Sequence, residues 1–235
     1  MNPKSTILPA RETEVSIPIG DIILRGTLAL PENPLGIVLF VHGSGSSRHS
    51  PRNRFVASAL QTAHLATLLF DLLTPEEDSL DEQTSELRFD IELLTKRITG
   101  ATVWVLRNES TKALPIGYFG ASTGAAAALR AAARLRESVA AVVSRGGRPD
   151  LAASDLGFVR APTLLIVGAD DRTVLDLNRL AFARLRCPGK KLVVVPFATH
   201  LFEEIGALEE VARLATDWFE HFLAPAREPE HAHTF

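Results

Sequence analysis

Cysteine is nearly absent: Cys187 is the only one in 235 residues. No internal disulfide can form, and cysteine-rich metal sites are excluded. Such usage suits a reducing compartment. An excess of charge is absent too. The 25 Lys and Arg against 28 Asp and Glu leave a net charge of −3, so no electrostatic argument favours nucleic acid or a membrane surface. No apolar run approaches the ~20 residues needed to span a bilayer. Residues 1–14 hold prolines and mixed charge, without the apolar centre of a secretory leader. Internal repeats and dividing linkers are missing as well. The expectation is a soluble, cytoplasmic protein with no nucleic-acid or membrane partner.

What remains is ordinary for a globular chain, 46% hydrophobic and 23% charged. One α/β domain is expected over residues 15–223, after an N-terminal extension (1–14) and before a flexible tail (224–235). Val15 to Ile19 and Ile22 to Leu30 read as a hairpin turning at Gly20-Asp21, with Pro18 marking an edge strand. Gly36 to Val41, Ala66 to Phe70, Ile116 to Phe119, Ala140 to Ser144, Thr163 to Val167 and Lys191 to Val195 are short β-prone runs. The continuously apolar ones suit strands buried on both faces. Helical patterns lie between them: Phe55 to Ala63, Leu87 to Leu106 with a break at Gly100, an alanine-rich stretch ending near Glu137, Leu175 to Leu185, and Leu208 to Phe222. The acidic stretch Leu72 to Glu86 lacks clear periodicity and reads as a surface loop, either a lid over a site or a solvated connector. Strands alternating with helices after an antiparallel start predict a mostly parallel sheet of about eight strands, covered on both faces.

The chemistry centres on Gly120-Ala121-Ser122-Thr123-Gly124. A strand leads into this turn and a helix leaves it, which is the context of a nucleophile elbow. A serine in so sharp a turn needs small neighbours. The following helix points its N-terminal N–H groups at the place where negative charge develops. A serine hydroxyl needs a base, and the base needs an orienting acid. Asp170 and Asp171 follow the strand ending at Val167, and His200 follows the one ending at Val195. Both therefore fall at the carboxyl edge of the sheet, with Ser122. Asp171 is the favoured acid and Asp170 the alternative. His231 and His233 lie in the tail, His221 in the last helix, and His49 and His64 before the elbow. His42 opens a glycine loop and reads as structural support, as does Asp71 at its strand end. Cys187 reads as a passive thiol. Two backbone N–H groups should form the oxyanion hole, those of Thr123 and Ser44.

These motifs resemble the α/β-hydrolase superfamily, in its small, capless branch similar to dienelactone hydrolases. His42-Gly43-Ser44-Gly45, the elbow, Gly168-x-x-Asp171 and Ala198-Thr-His200-Leu-Phe carry the resemblance over residues 15–223. It implies the α/β-hydrolase fold without a large cap, and the triad Ser122, Asp171 and His200. True dienelactone hydrolases carry a cysteine nucleophile. Ser122 stands there instead, which favours a serine carboxylic ester hydrolase over a dienelactone hydrolase. The stretches His42 to Asn53 and Ser144 to Asp150 are similar to a bacterial subgroup, some of it fused to phosphoribosyltransferase domains. The expected partner is a small-molecule ester with a small to medium acyl group, and no metal or organic cofactor is needed. An acyltransferase, thioesterase or perhydrolase would use the same triad, and a non-catalytic binding module would keep only the fold. Arg145 and Arg148 follow the strand beside the elbow strand, and arginine forks suit carboxylates. They are candidates for binding an acidic group of the substrate, with an Arg148–Asp150 ion pair as the alternative.

Overall fold

The computed structural model describes residues 10–224. Eight strands form one sheet in the order β1-β2-β4-β3-β5-β6-β7-β8. They are β1 (Arg11–Ile19), β2 (Ile22–Leu30), β3 (Gly36–Val41), β4 (Leu65–Phe70), β5 (Ile116–Ala121), β6 (Ala141–Arg145), β7 (Thr163–Gly168) and β8 (Lys191–Val195). β1 and β2 form the antiparallel hairpin, β2 pairs antiparallel with β4, and the remaining neighbours are parallel. The sheet therefore starts at Arg11, four residues inside the expected N-terminal extension. Residues 1–9 and most of the expected tail (225–235, with His231 and His233) lie outside the described residues.

The central strands carry alternate residues to two cores, as the strand period of two requires. Ile37, Leu39 and Val41 of β3 join one cluster, while Val38 and Phe40 join the other. The first cluster is closed by α3 (Ile91–Arg107), α4 (Thr123–Leu135) and α5 (Arg172–Arg184), the second by α1 (Pro51–Thr62) and α6 (Ala207–Leu223). Each fully buried Leu or Phe contributes about 1.5–3 kcal/mol relative to exposure. That supports a sheet whose central strands have no solvent-facing side.

Several helix expectations change; α3 starts at Ile91 rather than Leu87, and α5 at Arg172 rather than Leu175. α1 begins at Pro51 rather than Phe55, because Ser50 caps it: the hydroxyl accepts the Asn53 N–H, and Pro51 takes the first turn. The expected loop from Leu72 to Glu86 contains α2 (Pro75–Thr84). Thr74 and Glu77 form a reciprocal capping box at its start, with bonds of 3.2 and 2.9 Å. α2 has no apolar stripe; the one residue it buries is Asp81, which accepts the backbone N–H groups of Leu87 and Arg88. α3 runs unbroken through Gly100, where Ile19 of β1 covers the helix. No helix among the described residues is long and apolar enough to cross a membrane.

Candidate active site

Ser122 sits at the apex between β5 and α4 with φ 50° and ψ −122°. A non-glycine residue holds a positive φ only when its surroundings over-determine it, at a cost of about 1–3 kcal/mol. Two features supply that constraint. A Cβ on Gly120 would lie 2.5 Å from Ala125 Cα, and one on Gly124 would lie 2.3 Å from the His42 carbonyl oxygen. Only glycine lets α4 approach so closely. The loop after β6 then clamps the serine backbone from both sides. The Ser122 N–H donates to the Arg145 carbonyl (3.2 Å), and the Arg148 N–H donates to the Ser122 carbonyl (3.0 Å).

The turns after β7 and β8 bring the other two groups in. Asp171 Oδ2 lies 2.6 Å from His200 Nδ1, and His200 Nε2 lies 3.3 Å from Ser122 Oγ. The carboxylate fixes the tautomer: Nδ1–H donates to Asp171, leaving Nε2 with its lone pair toward the serine. The longer Ser–His separation suits a resting site that tightens on substrate binding. Asp170 takes no part; it is exposed, and its backbone N–H donates to the Ala198 carbonyl at 3.0 Å.

The protein matches no family model. Among solved structures it is similar to a dienelactone hydrolase from Anabaena variabilis, with 57% identity, a TM-score of 0.90, and coverage of 92% of this chain and 99% of that one. The chain belongs to the dienelactone-hydrolase branch of the α/β-hydrolases. Est1E from Butyrivibrio proteoclasticus shares the fold at 16% identity and a TM-score of 0.75, over 89% of this chain and 98% of that one. Two curated proteins from strains of Mycobacterium tuberculosis are 58% identical over 219 residues, 92% of this chain, and carry the provisional name phosphoribosyl transferase. The chain spans about half the length of these relatives (48%).

The two backbone N–H groups expected to form an oxyanion hole are not equivalent in this structure. The Thr123 N–H opens α4, where helical N–H groups have no intrahelical acceptor. The Ser44 N–H instead donates to Thr123 Oγ1 at 2.9 Å. The Thr123 hydroxyl thus occupies the second expected donor, so its side chain matters to the site and not its backbone alone. His42 braces the same loop. Its Nε2 accepts the Leu72 N–H (3.1 Å), so Nδ1 carries the proton and donates to the Gly43 carbonyl (3.0 Å). Burial lowers its pKa, against the Gly43 bond and the charges of Asp71 and Asp78, and holds the ring neutral. Asp71 accepts the Arg48 backbone N–H at 2.8 Å and pairs with its guanidinium, tying β4 to the glycine loop.

The two arginines after β6 separate. Arg148 spends its fork on Asp150, with bonds of 2.9 and 2.8 Å, and does not line the cavity at Ser122. Its pKa rises because of that bidentate bond. Arg148 is therefore not placed to bind a substrate at Ser122. Arg145 lines that cavity, is only 7% exposed, and makes no ion pair among the described residues. Burial, with Arg52 adding a like charge, pushes its pKa down to about 10, so it remains charged at neutral pH. The cavity measures about 260 Å³ and is lined by Ser44, Ser46, Arg52, Ser122, Arg145 and His200, among others. Arg52 is not among the residues the sequence points to there; the polar stretch His42 to Asn53 carries no sign of which side chain turns inward. A second cavity of about 280 Å³ lies beyond the Gly43–Ser46 loop, between the end of β4 and α2. The segment after Leu72 lines this second space and not the first. Cys187 is buried and unbonded. Among the described residues no cluster of His, Cys, Asp and Glu could hold a metal ion.

Proposed function

We propose that the protein is a serine hydrolase of carboxylic esters with small to medium acyl groups. The observation that carries this reading is the hydrogen-bonded chain Asp171–His200–Ser122, with separations of 2.6 and 3.3 Å. Ser122 Oγ attacks the ester carbonyl carbon as its proton passes to His200 Nε2. Asp171 stabilises the imidazolium and holds its orientation. The carbonyl oxygen gains a negative charge, met by the Thr123 N–H, by the positive end of α4, and by the Ser44 N–H as it turns from the Thr123 hydroxyl. Collapse of the tetrahedral intermediate expels the alkoxide, which takes the proton from His200. Water, deprotonated by His200, then attacks the acyl-enzyme and releases the acid with Ser122 regenerated. The cavity of about 260 Å³ favours short acyl chains. The name phosphoribosyl transferase belongs to proteins twice this length and is no guide to the chemistry at Ser122. A small-molecule ester in the cytoplasm is the partner this reading implies.

The test is hydrolysis of p-nitrophenyl esters from acetate to long acyl chains, by the natural protein and by Ser122→Ala. Serine-dependent turnover that falls with chain length is the expected result. Equal turnover by Ser122→Ala would remove Ser122 from the mechanism.

A further inference from the structure

The cavity at Ser122 is unusual in its unspent donors. Arg145 is buried, its Nε has no hydrogen-bond partner, and no bond from its guanidinium is found among the described residues. The guanidinium lies 6.0 Å from the centre of the Phe202 ring, a contact at the outer limit of a cation–π interaction. Charges buried in a fold are ordinarily paired. Arg52, from the first turn of α1, reaches the same cavity, and its Nε is also buried without a partner. Its Nη1 meets Glu203 at 3.1 Å, but that carboxylate is 64% exposed and screened by water. No carboxylate lines the cavity. Ser44 and Ser46 line it too. The two guanidiniums carry two positive charges, one more than a single carboxylate balances. A phosphate offers three strongly accepting oxygens and up to two charges.

We propose that Arg145 and Arg52 form an anion subsite beside Ser122 that takes a phosphate group on the substrate, making the preferred substrates esters that also bear a phosphate. This inference rests on the ester-hydrolase reading for its catalytic consequence, but not for the binding itself. The phosphate is held and not attacked: Ser122 acts on the carboxylic ester, and the two arginines fix the other end of the molecule. Binding energy far from the reacting carbonyl then serves to orient it.

The test compares three p-nitrophenyl esters of similar length: the neutral butyrate, the succinate monoester with a free carboxylate, and the 3-phosphonopropanoate. The expected KM for the phosphonate ester is at least about tenfold below both others, the smallest advantage expected of a charge-assisted hydrogen bond. Arg145→Met and Arg52→Gln should each reduce that advantage severalfold. Arg52 is partly exposed and not in the core, so its variant remains informative if Arg145→Met fails to fold. Equal KM values overturn the subsite, and preference for the succinate overturns its assignment to phosphate. Binding is read separately by titrating inorganic phosphate into the unmodified protein, with calorimetry as the detector. Saturable binding weakened by Arg52→Gln supports the subsite even if no ester is cleaved. Absence of binding overturns it even if the butyrate is cleaved and Ser122 is labelled by a serine-directed phosphonate.

Discussion

Replacing His42 by glutamine should change how stability depends on pH, and by an amount the structure fixes in sign. The ring is buried, accepts the Leu72 N–H at Nε2 and donates to the Gly43 carbonyl from Nδ1. A proton added at Nε2 would face another N–H, so protonation and this fold compete. In the unfolded chain the ring titrates near 6.5, and in the fold its pKa is lower because burial outweighs the attraction of Asp71 and Asp78. Between these two values the unfolded state binds one proton more than the native state. Stability from this group is therefore complete above ~6.5 and falls with pH below it, at up to about 1.4 kcal/mol per unit, until the folded-state pKa is passed. Glutamine can place an acceptor near Leu72, carries no titrating group, and forfeits the Gly43 bond. At pH 7.5 the variant should be less stable by about 1–2 kcal/mol, the cost of one hydrogen bond and some packing. The difference should narrow as the pH falls below ~6.5, because only the natural protein is destabilised by protonation of the unfolded ring. Urea unfolding followed through Trp104 and Trp218 fluorescence at several pH values measures this directly. A difference that stays constant from pH 7.5 to 5.5 would refute the neutral, bonded ring.

Asp171→Asn should lower kcat by about 10⁴ with little change in KM, because the amide stabilises the wrong tautomer of His200; an effect below tenfold would assign the acid elsewhere. Gly124→Ala places a methyl 2.3 Å from the His42 carbonyl oxygen. It should cost about 1–3 kcal/mol of stability and abolish labelling of Ser122 by a phosphonate, both readable on one purified sample. Thr123→Val removes the acceptor of the half-buried Ser44 N–H and should destabilise by about 0.5–1.5 kcal/mol, while Thr123→Ser should not; equal midpoints of urea unfolding for the two variants would show that the bond contributes nothing. Arg148→Met should leave the KM ratio of acidic to neutral esters unchanged, since its fork is held by Asp150.

The parts legible in the sequence are those set by local rules. Buried parallel strands such as Gly36–Val41 and Thr163–Gly168 announce themselves as unbroken apolar runs, and the elbow by its glycine spacing. α2 was not legible by periodicity because it buries no apolar face; only the Thr74–Glu77 capping box betrays it. The break expected at Gly100 is absent because a neighbouring strand, invisible to local pattern, fills the space above it. Within the site, the order Ser122, Asp171, His200 could be read from strand ends, and the structure brings those three together. The Ser44–Thr123 bond joins residues 79 apart and has no local signature. Arg145 and Arg148 are equivalent by composition and position. Only the path of the loop turns one into the cavity and leaves the other on Asp150.

That loop explains why the inward arginine is so firmly placed. The strained φ of Ser122 survives because Arg145 accepts its N–H and Arg148 donates to its carbonyl. The Gly146 N–H meanwhile donates to the Ile166 carbonyl at 2.8 Å, joining the same loop to β7. The backbone that supports the nucleophile is thus the backbone from which the Arg145 side chain leaves. The backbones of Ser122 and Arg145 cannot move apart without loss of the bonds that hold the strained serine. A charge on so fixed a backbone differs from a surface arginine on a mobile loop. It needs little ordering when a ligand arrives, so most of its interaction appears as affinity. On the proposed reading, recognition of the anion and the aim of Ser122 are coupled through one stretch, Ser144 to Arg148. A substitution that loosens it should impair turnover of neutral and anionic esters together, whereas one confined to the Arg52 side chain should alter only their ratio.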